Sequence, residues 1–485
     1  MDAGPGCCGS FPAAAHWDGQ ESSISENVMG WYSHPMMQFN RWLLTPSVLL
    51  LLSCGEITPQ RPNVLIYVVS SLRADALGVY DSSRTDTPHF DEFAADGVIF
   101  EEAYASSAWA RPALASLVSG LYPWNHDTNR LDDRLPADIP NLAREFSANG
   151  YTSGLITANP DVGPLFGFDE GFDESIELYT RSTPGRIEPL ELIATSDVVT
   201  EVALKWIEER PRPFFLMVLA VDPHAPYLPP RDHDPARFRA ASGVDGRIAS
   251  LERLSDTRTA ADEDRIRELY QAEVNLNDKS FGRLISELRR TNQLDQTIVV
   301  LTGDHGESFW EYDLHGHRND LSQEVLHVPL ILRYPKDRRL PAGARTQAPM
   351  ASVDLAPTLF DLTRLPTPSD LDGRSFFDSA SQARPPILAG LRTSSETLLA
   401  AMYPPYKLLW DRNKAELSFF DMRVTLPEAE PFDPRSNAAA DEARKDFLDA
   451  LGTSLTKPLK TPIPGRTDFH DSTLTPDLKA LGYDS

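Results

Sequence analysis

The chain reads as an α/β fold: a mostly parallel central sheet covered by helices on both faces, followed by a small C-terminal antiparallel subdomain. Three observations predict it. Residues 63–69 (NVLIYVV), 213–221 (PFFLMVLAV) and 297–302 (TIVVLT) are continuous apolar runs, the pattern of parallel strands buried on both faces. Stretches with helical spacing of apolar residues separate them. Toward the other end, residues 406–411 (YKLLWD) and 416–421 (ELSFFD) read as a hairpin. At 485 residues the chain supports one large domain with a smaller appendage, and its core needs no staples.

Residues 1–53 read as a leader. Arg41 precedes a short apolar run (WLLTPSVLLLLS) that ends at Cys54, the arrangement of a bacterial lipoprotein signal with LLSC as its lipobox. The run is shorter than the about 20 apolar residues a bilayer span takes. Cleavage before Cys54, acylation of its thiol and attachment to a bacterial cell envelope through lipid alone are expected, on the periplasmic or extracellular face. Met36 or Met37 is the expected start, because Met1 leaves a long polar leader containing Cys7 and Cys8. No cysteine follows Cys54, so the folded part has no thiol nucleophile. Residues 54–61 form a linker. With 46 Lys+Arg against 71 Asp+Glu and a formal charge of -25, the balance argues against nucleic acid as a partner, and any anionic ligand needs a local basic site.

Residues 70–78 (SSLRADALG) read as the turn into a helix with Ser70 or Ser71 as N-cap. Residues 87–105 give an amphipathic helix closed at Gly97 and a short strand from Val98. Residues 106–123 (SSAWARPALASLVSGLYP) read as a loop, then a small-residue helix over 113–119 stopped by Gly120. A helix over 139–149 leads to a strand at 151–157, and a helix over 190–210 leads to the run at 213–221. The polar stretch 229–259 reads as a surface excursion. From 260 to 291, Ile266, Tyr270, Val274, Phe281, Ile285 and Leu288 return at helical spacing. Residues 328–332 (VPLIL) are a further buried strand. The expected divisions are a main domain over 62–375, a small subdomain over 376–424 and a mostly irregular tail over 425–485.

Three loops leave the carboxyl ends of buried strands: Ser70-Ser71, Asp222 to His224, and Asp304-His305. Open parallel sheets bind ligands at that edge, so these loops and the segment around Ala110 are expected to outline one pocket. Asp304 and His305, a carboxylate and an imidazole on a tight turn, are metal-ligand types. For an anionic group the candidates are His224, His317, Arg73 and Arg111, although Arg73 reads more readily as a structural ion-pair partner of Asp75 or of a neighbouring helix.

Residues 106–123 resemble the signature segment of the sulfatase family, a branch of the alkaline-phosphatase-like enzymes, which reads nucleophile-x-Pro-x-x-Ala-Ser-Leu-x-Thr/Ser-Gly-x-Tyr-Pro. TPHFDEFAADGVIF, FGFDEGFDE and residues 353–376 are similar to further family segments, and the resemblance spans nearly all of 62–410 in the right order. It implies an alkaline-phosphatase-like fold and a divalent ion held by Asp304 and His305. It also implies that His224 and His317 line the substrate pocket for leaving-group protonation or oxyanion contact, work suited to a group that titrates near neutrality. Three departures stand out. The nucleophile position, Cys or Ser oxidised to formylglycine or an unmodified Thr or Ser in relatives, is Ala110. The first-strand carboxylates, usually Asp-Asp or Asp-Thr, are Ser70 and Ser71. Leu114 stands where one version has arginine, and Arg111 is one step from Ala110 to supply charge instead. No formylglycine can form. With Asp75, Glu307 and Asp313 misplaced for rescue, calcium, magnesium or manganese is expected to bind weakly or not at all. His315 and His327 read as scaffold.

These departures favour a lipid-anchored, catalytically impaired sulfatase that binds an anionic sulfate or phosphate ester of a sugar or lipid, or a partner protein. The alternative is an active sulfuric-ester or phosphoric-ester hydrolase or transferase with a metal-activated water or another nucleophile, for which Ser106, Ser107 and Ser116 are the nearby hydroxyls. A third reading is a purely architectural surface protein.

Overall fold

The computed structural model describes residues 61–81, 83, 87–179, 194–230, 244–378, 384–393, 396–424 and 426–455. The expected leader, Cys54 and the LKALGY segment at 478–483 lie outside the described residues, as does the start of the helix expected from 190. Eight strands form the central sheet: β1 Asn63–Val69, β2 Val98–Phe100, β3 Thr152–Thr157, β4 Glu174–Glu177, β5 Phe214–Ala220, β6 Thr297–Gly303, β7 Leu330–Arg333 and β8 Ala344–Thr346. Their order is β8-β2-β7-β6-β1-β5-β3-β4. β1 pairs in parallel with β5 and β6. β7, the expected VPLIL strand, runs antiparallel to both of its neighbours.

Alternate side chains of β1 enter opposite cores, Val64, Ile66 and Val68 on one face and Leu65, Tyr67 and Val69 on the other. A strand with two apolar faces needs helices on both. Besides a four-residue helix at Gln323–Leu326, the helices described are α1 Pro88–Ala95, α2 Ala110–Ser119, α3 Pro123–His126, α4 Leu142–Ala148, α5 Ser196–Glu209, α6 Ile248–Thr257, α7 Ala260–Arg290, α8 Leu355–Thr363 and α9 Ala438–Leu455. Leu114 of α2, Phe146 of α4 and Phe360 of α8 cover the first face. Phe93 of α1, Trp206 of α5 and Phe281 of α7 cover the second. A separate antiparallel sheet follows: β9 Ile387–Arg392, β10 Thr397–Tyr403, β11 Tyr406–Asp411 and β12 Glu416–Asp421, in that order. It is tied to the α2 loop, where the Gly390 amide donates to the Ser106 carbonyl at 3.0 Å and Ser107 Oγ donates to the Gly390 carbonyl at 2.7 Å.

Three local expectations are corrected. Residues 70–78 contain only a 3-10 turn at Ala74–Ala76. Neither Ser70 nor Ser71 caps a helix, because the Ser70 hydroxyl is spent on Asp304 and Ser71 turns the chain with a φ of 56°. The excursion at 229–259 contains α6, whose Leu251 and Leu254, three residues apart, bury one face. The tail is not irregular throughout: α9 buries Ala440, Phe447 and Leu451, three apolar residues on one face of an Ala- and Asp-rich helix too polar to stand out in sequence.

Candidate functional site

The carboxyl ends of β1, β5 and β6 lie side by side, Val69 opposite Ala220 and Gly303. The Ser70, Asp222 and Asp304 loops therefore start from adjacent points at one sheet edge. Within the first loop, Tyr270 of α7 donates to the Ser71 carbonyl at 2.9 Å and accepts from the Arg73 amide at 3.0 Å. Its return at helical spacing marked it only as core.

Asp304 is 2% exposed and its carboxylate is fully engaged by donors. Ser70 Oγ donates to Oδ2 at 3.0 Å, while the amides of Ser71 and His305 donate to Oδ1 at 2.9 and 2.8 Å. His305 Nδ1 donates to the Gly306 carbonyl at 2.7 Å, leaving Nε2 buried without a partner. His317 packs its ring 4.4 Å from that of His305 and 4.9 Å from that of His224, and its Nδ1 is 3.0 Å from Glu307 Oε1. His224 Nδ1 donates to the Ala225 carbonyl. The expected convergence of His224, His305 and His317 thus occurs, and Glu307 sits among them.

Burial decides the charge state of this cluster. It pushes His224 down to about 4, with the neighbouring His317 adding to the fall, and it holds His317 well below the usual imidazole range. It raises the Glu307 carboxyl, against the pull of His224, His315 and His305. Burial thus favours the neutral, hydrogen-bonding form of both imidazoles over the charged one.

Ala110 is the first residue of α2 and is fully buried. Its loop is fixed to the other histidine-bearing loop, because the Arg318 amide donates to the Ala108 carbonyl at 3.1 Å and the Arg318 guanidinium lies 4.5 Å over Trp109. Of the two candidate arginines, Arg111 is corrected, and Arg73 makes the Asp75 ion pair that its sequence also suggested. Arg111 is fully buried in an ion pair with Asp161, donates to the Arg130 carbonyl at 3.0 Å and stacks on Phe166. Arg73 grips Asp75 at 2.7 Å and Glu311 at 2.7 Å and donates to the Glu307 carbonyl. Both guanidiniums serve the fold. His327 Nε2 bonds the Glu101 carbonyl and His315 stacks on Trp310, as scaffold residues do.

The donor set was tested against the family's divalent ion. A hard cation takes about six oxygens or more, several of them charged. Here Asp304 spends both oxygens on protein donors, the first strand contributes neutral Ser70 and Ser71, Asp75 holds Arg73, and Asp313 holds Arg258. Among the described residues, no group of three His, Cys, Asp or Glu side chains is arranged to hold a metal ion. His305 Nε2, Glu307 Oε2 and Ser71 Oγ are buried without hydrogen-bond partners, but the first strand contributes no carboxylate to the charged oxygens such an ion takes.

The serines near Ala110 in the chain are engaged elsewhere, whereas Ser71 Oγ is buried without a hydrogen-bond partner. Ser106 Oγ is 2.8 Å from Ser352 Oγ, and Ser107 bonds Gly390. Ser116 Oγ lies 3.0 Å from His126 Nε2, which has the look of a nucleophile and its base. The Thr128 amide, however, donates to His126 Nδ1 at 3.0 Å. Nδ1 is thus the acceptor nitrogen, Nε2 carries the proton, and this imidazole donates to Ser116 and cannot deprotonate it.

Comparison with known proteins accords with this geometry. Residues 62–365 match the family model described as Sulfatase. The N-acetylglucosamine-6-O-sulfatase of Bacteroides thetaiotaomicron is 25% identical over 449 residues, spanning 75% of this chain and 78% of that protein. The ulvan-active sulfatase of Formosa agariphila is 24% identical over 384 residues, spanning 72% and 71%. Among solved structures, the phosphonate monoester hydrolase of Agrobacterium radiobacter has a TM-score of 0.66 at 22% identity, over 81% of this chain and 95% of that one. A protein solved in complex with its substrate D-glucosamine-2-N,6-O-disulfate has a TM-score of 0.67 at 19% identity, over 83% and 100%. The structural likeness gives the mostly parallel sheet its place as an alkaline-phosphatase-like fold. The family model covers more than half of the residues, and the chain belongs to the sulfatase family.

Proposed function

We propose that this protein recognises an anionic sulfate or phosphate ester, on a sugar or a lipid, without hydrolysing it. One observation carries the reading. The first residue of α2, where relatives place the attacking oxygen, is the buried methyl of Ala110, and Asp304 is held by the Ser70 hydroxyl and the Ser71 and His305 amides, with no carboxylate on the first strand beside it. Displacement at sulfur or phosphorus needs a nucleophile and a counter-charge for the ester oxygens. Deleting one member of such a unit costs on the order of 10⁴ to 10⁶ in turnover. The imidazoles of His224 and His317 remain as neutral groups that hydrogen-bond an ester oxygen.

The competing reading, turnover by another nucleophile, is favoured by relatives whose names are those of hydrolases. It needs an available hydroxyl: Ser106, Ser107 and Ser116 are all engaged, so Ser71 Oγ, buried without a hydrogen-bond partner, is the one it would have to use. The test is incubation of the purified chain with 4-nitrophenyl sulfate and 4-nitrophenyl phosphate, with and without calcium, magnesium or manganese. No hydrolysis above an Asp304→Ala control is expected; metal-dependent release of nitrophenolate above that control would overturn the reading.

The same proposal places the mature chain on a bacterial cell envelope, anchored by acylated Cys54. The support is the LLSC segment after a short apolar run. Among the described residues no helix is long and apolar enough to cross a membrane. Mass spectrometry of the membrane-extracted protein is expected to find lipid on Cys54 as the first residue, and a mature protein retaining residues before it would defeat the anchor.

A further inference from the structure

We propose a second ligand site, away from the Ala110 pocket, that takes an acidic sugar: a ring bearing a sulfate or carboxylate group. The ligand class rests on the ester-binding reading above, while the site itself rests on separate residues. A cavity of about 540 Å³ lies among α3, one end of the C-terminal sheet and the end of α9, within the roughly 300–1,000 Å³ of small-ligand sites. Trp124 and Asp127 of its wall follow the C-terminal end of α2, whereas Ala110 begins that helix. Ten residues at 1.5 Å each set the two ends roughly 15 Å apart.

Two arginines give the cavity its chemistry. Arg392 ends β9 opposite Thr397 of β10, and the Arg412 amide donates to the Thr397 carbonyl at 3.0 Å. The arginines therefore flank Thr397 across adjacent strands, with backbones roughly 10 Å apart at about 4.8 Å per strand spacing. That span suits one substituted sugar ring. Among the described residues neither guanidinium is in an ion pair; that of Arg412 lies 5.5 Å over Trp410. In a chain of net charge -25, two unneutralised guanidiniums on one cavity make a local basic site, and the planar fork of arginine matches a sulfate or carboxylate edge.

The rest of the wall suits the sugar itself. Asp127 and Asn413 make that part of the wall polar, Asn413 Oδ1 accepting the Thr397 amide at 3.0 Å. Trp124 supplies apolar surface held in one place, since its Nε1 donates to Ser454 Oγ at 3.0 Å and its ring stacks on Tyr122 at 5.1 Å. Gly390 makes room for it: a Cβ there would come 3.0 Å from Trp124 Cζ3.

The experiment is isothermal titration of the purified full chain with a dextran sulfate oligomer, a neutral dextran oligomer of the same length, and sodium sulfate alone. The sulfated oligomer is expected to bind and the neutral one not to. The Arg392→Gln/Arg412→Gln variant is expected to lose roughly tenfold or more in affinity, as charge-assisted bonds are removed, with an unchanged melting temperature. The same titration is run in a His224→Ala background, which weakens the Ala110 pocket: the oligomer is expected still to bind there, and adding Arg392→Gln/Arg412→Gln is expected to remove that binding. Unchanged affinity on adding the two arginine substitutions to His224→Ala, equal binding of neutral dextran, or sodium sulfate binding as tightly as the oligomer would each overturn the site. Ester hydrolysis by the wild type would sink the non-catalytic reading and leave this titration standing.

Discussion

At the scale of single residues, a hydroxyl at position 70 decides what Asp304 does. Two carboxylates about 3 Å apart cannot both stay ionised without a cation between them, whereas Ser70 donates to Asp304 at 3.0 Å and the Ser71 and His305 amides complete its shell. Ser70→Ala removes one donor to a buried charge, so urea unfolding at neutral pH should show a loss of about 1–3 kcal/mol. His126 offers a second test. Burial pushes it down to about 3, and the Thr128 amide occupies the nitrogen that a second proton would need. A depressed imidazole binds its proton in the unfolded chain first, so its contribution is intact above about pH 6.5 and is lost as pH falls toward 3, by about 1.4 kcal/mol per unit. Asp278 acts in the opposite sense: burial raises it to about 6, and its burden eases as pH falls below that value. The comparison must therefore be made between variants. His126→Gln should flatten the slope of stability between pH 6.5 and 4 relative to wild type, and equal slopes in urea titrations would refute the assignment.

At the scale of elements, α7 holds the pocket together from beneath. Tyr270 clamps the Ser71 to Arg73 turn, Glu273 accepts the Leu228 amide beyond the His224 loop, Asn277 donates to the Asp222 carbonyl, and Asp278 accepts the His89 and Phe90 amides that begin α1. The helix itself was legible, because Ile266, Val274, Phe281 and Leu288 repeat at its period and Thr259 with Asp262 closes its start as a capping box. Its duties were not, since a polar residue on an apolar face shows nothing of what it will meet. Tyr270→Phe keeps the ring and removes the bridging hydroxyl. It should destabilise the protein by about 1–3 kcal/mol and speed hydrogen exchange at the Arg73 amide; unchanged exchange there would show that the turn does not depend on the clamp. The same limit explains the tail, where α9 reaches the core with only a few apolar residues. It also explains Arg73 and Arg111, whose charge suggested ligands although their partners, Glu311 and Asp161, are distant in sequence.

For the molecule as a whole, the long apolar strands carried most of the information. β1, β5 and β6 are buried on both faces, and that alone fixes a covered parallel sheet with its ligand edge at Ser70, Asp222 and Asp304. β8, three residues long, is too short to announce itself, and its pairing comes from tertiary packing. The scaffold is that of the sulfatase family, and its centre is proposed to bind without turnover. The most direct measurement is the rate of 4-nitrophenyl sulfate hydrolysis, with calcium present, by wild type and by the Ser70→Asp/Ala110→Ser variant. Calcium-dependent hydrolysis only in the variant is the expected result; hydrolysis by the wild type at the variant's rate would contradict the account.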